Sequence, residues 1–201
     1  MNQTRAASRN HAGKTGRRRF LRLTAAGAGL LLGGAACGAQ TQRILKSGDH
    51  IDVGGDAKEI IERAYALGHQ YEARYGGCAQ CTLAALQDAI PFVPTDKGLF
   101  RGASALDGGA TPAGLQNCGA FTGAAMVIGY LCGRSREKTF TGSTGLSHKL
   151  VRKVYEHFKK EYGSVLCKDV RKGAKSDCPK VVGLAARWTA EILLNEFGER
   201  D

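Results

Sequence analysis

From Asp56 onwards the apolar positions of the chain fall at helical intervals. In "AKEIIERAYALGHQYEARY", Ile60, Ile61, Ala64 and Leu67 recur at three- and four-residue steps, with Asp56 ahead of them as N-cap and Gly76-Gly77 as the stop. "CAQCTLAALQDAI" reads as a second helix that opens at Cys78 and ends in the region of Pro91 and Pro94. The stretch 97–114, "KGLFRGASALDGGATPAG", loses the period and reads as irregular or only briefly helical, turning at Gly108-Gly109. A third helix starts near Asn117, in "NCGAFTGAAMVIGYLCG". A fourth starts at a Ser147 cap, and its stripe of Leu150, Val151, Val154, Tyr155, Phe158 and Tyr162 runs to Gly163. A short helix or turn surrounds Cys167. A fifth long helix begins behind Asp177, with Pro179 in the first turn, where the missing N–H costs nothing. No stretch alternates with period two. The expected fold is all-α, a compact helical bundle of about five helices.

Two glycines inside the third helix refine this picture. Gly119 and Gly123 stand four apart on one face, where the lack of a side chain lets a neighbouring helix approach closely. A phosphate-binding loop is excluded as their explanation, because no lysine-serine pair follows them.

Charge changes the picture at the N-terminus. The formal net charge is +11, from 29 basic and 18 acidic side chains. Residues 1–39 hold seven of the basic and none of the acidic ones, so the remainder is close to +4. Nucleic-acid binding is therefore not expected. "TGRRRFLRL" resembles a bacterial twin-arginine export signal, although Gly16 stands where serine or threonine is common. The weakly apolar "TAAGAGLLLGGAA" behind it is too short for a membrane-spanning helix, which needs roughly 20 residues. The expected layout is a twin-arginine signal peptide over 1–39, a linker over 40–55 and a cysteine-containing helical redox domain over 56–201. The expected location is the periplasm, or the outer side of the cytoplasmic membrane. Cleavage falls near Ala39, or before Cys37, whose lipidation would anchor the chain to the membrane. Export in the folded state is typically used when a cofactor is inserted first.

Six cysteines remain behind the leader: Cys78, Cys81, Cys118, Cys132, Cys167 and Cys178. Cys78, Cys118 and Cys178 fall in the first turn of expected helices, where unpaired N–H groups and the positive dipole end favour a thiolate. Cys132 is excluded from a shared site, since 14 helical residues set it about 21 Å from Cys118. Cys81, in C-x-x-C spacing with Cys78, either joins the site or pairs with Cys78. Thr82 follows Cys81, so the C-x-x-C-H needed for covalent haem is lacking. Lys168, Arg171, Lys172, Lys175 and Lys180 form a basic stretch beside Cys167 and Cys178, either a solvated surface or a dock for an acidic redox partner. His69, His148 and His157 sit on polar helix faces with no nucleophile or carboxylate placed beside them, which argues against hydrolase chemistry.

"YGGCAQCTLAALQ", "LQNCGAFTGAAMVIG", "YGSVLCKDV" and "DCPKVVGLAARWTAEIL" together resemble the redox-active C_GCAxxG_C_C family. The likeness spans roughly 60–194 and implies that the family's four cysteines are Cys78, Cys118, Cys167 and Cys178. Cys81 stands where the family commonly has serine or alanine. A similar module in split-Soret cytochromes implies an iron–sulfur centre, without the haems.

Three readings follow. In the first, Cys78, Cys118, Cys167 and Cys178 hold an iron–sulfur cluster of the [2Fe–2S] type, with Cys81 as alternate ligand, in an exported electron-transfer protein. In the second, the chain is a thiol–disulfide oxidoreductase, with Cys78 attacking and Cys81 or Cys118 resolving. In the third, disulfides such as Cys78–Cys118 and Cys167–Cys178 staple a bundle without cofactor. Structural zinc fits four thiolates too, but spacings of 40, 49 and 11 residues lack paired knuckles. A homodimer is among the expected assemblies.

Overall fold

The structure is a computed structural model, described over residues 43–136 and 140–199. The leader, with its arginine run and Cys37, lies outside the described residues. Among the described residues seven α-helices follow one another: α1 (Ala57–Tyr75), α2 (Cys78–Ala89), α3 (Lys97–Gly102), α4 (Gly119–Cys132), α5 (Gly145–Tyr162), α6 (Cys167–Gly173) and α7 (Cys178–Phe197). The expected all-α class holds. The five long helices stand where the apolar periodicity puts them, and the count rises to seven because α3 and α6 are too short to show a period.

Helix boundaries follow local chemistry. The Asp56 carboxylate accepts from Lys58 N–H at the start of α1, and Gly76 closes that helix at φ +67°. Asp96 caps α3 through Leu99 N–H at 2.6 Å. After α3, the chain turns through three 3₁₀ segments, Ala103–Ala105, Gly108–Ala110 and Pro112–Gly114. The expected Ser147 cap is corrected. The cap of helix α5 lies three residues earlier, at Thr144. Ser147 is a buried residue of its first turn, its hydroxyl donating to the Thr144 carbonyl at 3.0 Å.

Helix α2 is the centre of the bundle, lying against α1, α4 and α7. Its Leu83 and Leu86 are fully buried with Ile128 and Leu131 of α4 and Leu193 and Phe197 of α7. Helix α5 closes one side through the expected stripe, with Leu150, Val154 and Phe158 inside and Val151, Tyr155 and Tyr162 half-buried. His157, solvated in the expectation, instead stacks on Trp188 of α7 with ring centroids 5.1 Å apart. The stretch 40–55 also departs from a free linker over its described part. Leu45 N–H donates to the Leu131 carbonyl, Ile51 pairs with Gly198 as an isolated parallel bridge, and Leu45 is buried. Backbone hydrogen bonds at Leu45 and Ile51 hold it on the bundle.

Two close helix crossings set the geometry. Where α1 meets α7, a Cβ on Gly68 would lie 3.2 Å from the Gly183 Cα, and one on Gly183 would lie 3.0 Å from the Tyr65 ring. Where α2 meets α4, a Cβ on Gly119 would lie 2.9 Å from Ala79 N, and one on Gly123 would overlap the Ala79 carbonyl. The close approach expected of Gly119 and Gly123 is therefore the α2–α4 contact. Backbone cannot yield as a side-chain tip can, so Gly123→Ala should cost about 2–3 kcal/mol, within the range for overpacking. Gly129 on the same helix faces open space. Gly129→Ala should be neutral or stabilise by up to about 1 kcal/mol through helix propensity. Thermal unfolding followed by circular dichroism should show the first variant melting well below the native chain and the second at or above it.

Candidate functional site

Each of four cysteines stands at the start of a helix. Cys78 is the first residue of α2, entered through Gly77 at φ +93°, a left-handed conformation that suits glycine. Cys118 is the N-cap of α4. Cys167 is the first residue of α6, a position the sequence left uncalled. Cys178 is the first residue of α7, where Asp177 accepts from Lys180 N–H at 3.1 Å. The starts of α4 and α6 are tied directly: Cys118 N–H donates to the Val165 carbonyl at 2.7 Å, and Cys167 N–H to the Gln116 carbonyl at 2.9 Å. This small antiparallel bridge, Asn117 with Leu166, holds the starts of α4 and α6 together, with Cys118 and Cys167 each one residue from the bridged pair.

The sulfurs form one electrostatic group. The Cys78 Sγ lies 3.2 Å from Glu72 Oε1 and in hydrogen-bonding reach of Cys178 Sγ, and these three ligand atoms all fall within 4.8 Å of one another. Cys118 feels the charge of both Cys167 and Cys178, and Cys78 feels that of Cys118. Room for Cys167 comes from two glycines: a Cβ on Gly108 would overlap its Sγ, and one on Gly114 would lie 3.5 Å from it.

Of the thiolates expected at Cys78, Cys118 and Cys178, the one at Cys178 is realised. The hydrogen bond with Cys78, helped by Arg171, lowers Cys178 to about 7, despite burial and the Glu72 carboxylate. The same bond, with burial and Glu72, holds Cys78 protonated far above the ordinary thiol range. Burial pushes Cys118 up to about 12, although Ala120 and Phe121 N–H groups favour its anion. Burial also raises Cys167, against Arg171. Desolvation outweighs the helix start wherever the thiol is enclosed, because the charged form loses more water than a few N–H groups replace.

Cys81 meets the group through Glu72, which also faces Cys78. Its Sγ donates to the Gly76 carbonyl at 3.1 Å, and burial with Glu72 raises it to about 12. Cys132 is buried one turn above the Ile128 carbonyl, to which its thiol donates at 3.2 Å, as its exclusion requires. The six described cysteines are free thiols. The pair in hydrogen-bonding reach is Cys78 with Cys178, not either of the expected pairings Cys78–Cys118 and Cys167–Cys178.

Sequence reasoning missed two carboxylates. Glu72 looks like one more charge on the polar face of α1, yet it reaches Cys78. Asp107 lies in the irregular stretch and accepts from Ala79 N–H at 2.7 Å, capping α2 from outside that helix. No local motif marks either residue.

The sequence model of one protein family, described as "Putative redox-active protein (C_GCAxxG_C_C)", matches residues 76–192. The chain belongs to this family. No curated protein and no solved structure matches it. The C_GCAxxG_C_C match covers all four grouped cysteines and leaves Glu72 outside, four residues before its start. The donor set suits a metal centre. The Cys78 and Cys178 sulfurs lie with a Glu72 carboxylate oxygen within 4.8 Å of one another, Cys118 and Cys167 interact electrostatically with Cys178, and three buried polar atoms lack partners: Glu72 Oε2, the Gln116 amide nitrogen, and the Tyr162 hydroxyl, which feels the charge of Cys118. The Gln116 amide and the Tyr162 hydroxyl are donors that an anionic thiolate centre would satisfy, whereas the Glu72 oxygen is an acceptor that would face a cation.

In the reduced, metal-free chain, iodoacetamide should alkylate Cys178 first, with a rate that rises through a midpoint near pH 7. Cys78→Ala removes the largest cause of that lowering, so the midpoint should move up towards the ordinary thiol value. An unchanged midpoint by mass-resolved alkylation would show that Cys78 does not hold the Cys178 anion.

Proposed function

We propose that Cys78, Cys118, Cys167 and Cys178 hold a [2Fe–2S] iron–sulfur cluster and that the protein transfers electrons. The observation that carries this reading is the meeting of four helix starts, each bearing a cysteine, in one electrostatic group. The neighbours divide the ligands into two pairs, as a two-iron cluster requires: Cys78 with Cys178 through their hydrogen bond, and Cys118 with Cys167 through the backbone bridge. When bound, such a cluster supplies a one-electron couple.

The chain's own residues prepare this. Helix-start N–H groups, including those of Ala120 and Phe121 at Cys118, offset thiolate charge. Arg171 adds positive potential at Cys167 and Cys178. Burial of Cys118 and Cys167 keeps water away from the sulfurs. Glu72 and Asp107 act oppositely, favouring the more positive state of the centre. Three of the four thiols are protonated when no metal is bound, so loading should release protons. The leader's likeness to a twin-arginine signal extends the proposal to a folded, loaded protein carried out of the cytoplasm, where it would serve a redox partner.

A second reading rests on the hydrogen-bonded thiol pair. Cys178 as thiolate and Cys78 as thiol could be oxidised to one disulfide, releasing two electrons to an acceptor disulfide and the remaining proton to solvent. It does not account for Cys118 and Cys167.

Material purified without air from the cytoplasm should be brown, with about two irons and two acid-labile sulfides per chain. Cys78→Ser, Cys118→Ser, Cys167→Ser and Cys178→Ser should each lose most of the iron, whereas Cys81→Ser and Cys132→Ala should keep it. A colourless protein in which only Cys78 and Cys178 become protected from alkylation on oxidation would replace the cluster by the disulfide couple.

A further inference from the structure

Beyond the sulfur group, one cavity has the chemistry of a binding site that no comparison assigns. It has a volume of about 550 Å³ and is walled by the Gly108–Gly114 stretch on one side and by α6 and the turn after it on the other. Lys168, Arg171 and Lys172 all line it, with the Ser176 hydroxyl and Thr111. The Thr111 Oγ1 is buried with no hydrogen-bond partner. No acidic side chain lines the recess.

These observations point to a ligand rather than to a solvated surface. Lysines and arginines that merely face water project outwards and leave no enclosed hydroxyl behind them. Here three exposed cations border one concave recess, and Thr111 in its wall has a buried hydroxyl without the partner that buried polar groups almost always have. Two non-glycine residues lining the recess hold left-handed backbone, Ala113 at φ +57° and Ser176 at φ +66°. The volume falls within the usual range for small-molecule pockets, roughly 300–1,000 Å³. A flat acidic protein face would leave such a recess unfilled.

We infer that this cavity binds a small oxyanion-bearing molecule, a phosphate or polycarboxylate, held by Arg171, Lys168 and Lys172 and hydrogen-bonded by Thr111 and Ser176. Arginine supplies a planar fork that matches two oxygens of such a group. The site adjoins the sulfur group: Gly108 and Gly114 line the cavity and also border the Cys167 side chain. The inference does not depend on which redox centre the cysteines form.

Isothermal titration of the reduced full-length chain with inorganic phosphate, at low and at 150 mM sodium chloride, tests it. Saturable one-to-one binding that persists in salt is expected. The double variant Arg171→Ala/Lys172→Ala should weaken it at least tenfold, and Thr111→Val should weaken it several-fold without lowering the melting temperature in phosphate-free buffer. Lys58→Ala/Arg63→Ala removes equal charge from α1, which does not adjoin the cavity, and should leave the affinity unchanged. A parallel titration with citrate separates the two sources of oxyanion, since tighter phosphate assigns a phosphate ligand and tighter citrate a carboxylate one. The inference is overturned if all variants bind phosphate as the native chain does. It is equally overturned if a hexaglutamate peptide binds and phosphate cannot displace it, which would make the basic face a protein dock.

Discussion

Backbone meeting backbone at Ala79 is the contact on which the rest depends. Gly123 lies against the Ala79 carbonyl, and Gly119 against its nitrogen, so α4 approaches the first turn of α2 as closely as main chains allow. That approach brings the N-cap of α4 beside the first residue of α2, and both positions carry cysteine. A Cβ on Gly119 would lie 2.9 Å from the Cys78 Cβ, which measures how little space separates the two helix starts. The Gly68–Gly183 crossing does the same for α1 and α7, placing Glu72 and Cys178 at one end of the bundle. Gly108 then makes room for the Cys167 side chain. The site is shaped as much by side chains that are missing as by the sulfurs themselves.

Within that space two electrostatic effects compete. Helix starts favour thiolates, and enclosure disfavours them. Enclosure wins at Cys118 and Cys167, and at Cys78 the shared hydrogen bond and the Glu72 carboxylate reinforce it. Cys178 alone tips the other way, because a neighbouring thiol donates to it and Arg171 stands close. Such a pocket resists accumulating negative charge by itself but accepts it once a cation arrives. Proton release and metal uptake are then two sides of one equilibrium.

Much of this was legible in the sequence. Periodicity located five helices, and the residues before each cysteine placed Cys78, Cys118 and Cys178 at helix starts. The length of α4 removed Cys132, and the Gly119–Gly123 spacing announced a close crossing. What stayed hidden depends on contacts between distant segments. Glu72 lies near the end of α1 among polar positions, and Asp107 caps a helix 28 residues away from it. Burial of a thiol cannot be read from its neighbours in sequence, so the expectation of thiolates at Cys78, Cys118 and Cys178 failed at the first two. The helix at Cys167 has seven residues, too few to show an apolar period. Its place is fixed by the bridge to 116–118, a pairing that leaves no sequence pattern.

The C-x-x-C motif shows why local spacing misleads here. Cys78 and Cys81 are three residues apart on one helix, which in another fold would make them a dithiol. The first residue of a helix and the fourth have different surroundings, however. Cys78 projects towards α7 and meets a sulfur exactly 100 positions later in the chain, whereas the Cys81 thiol turns back to the Gly76 carbonyl within its own segment. Every sulfur of the group thus comes from a different helix, and none can be placed until α2, α4, α6 and α7 have converged. Binding at four such sulfurs would favour the folded bundle by the whole free energy of ligation, since the unfolded chain offers no preformed site. Redox chemistry at such a centre would in this way be coupled to folding through the same four helix starts.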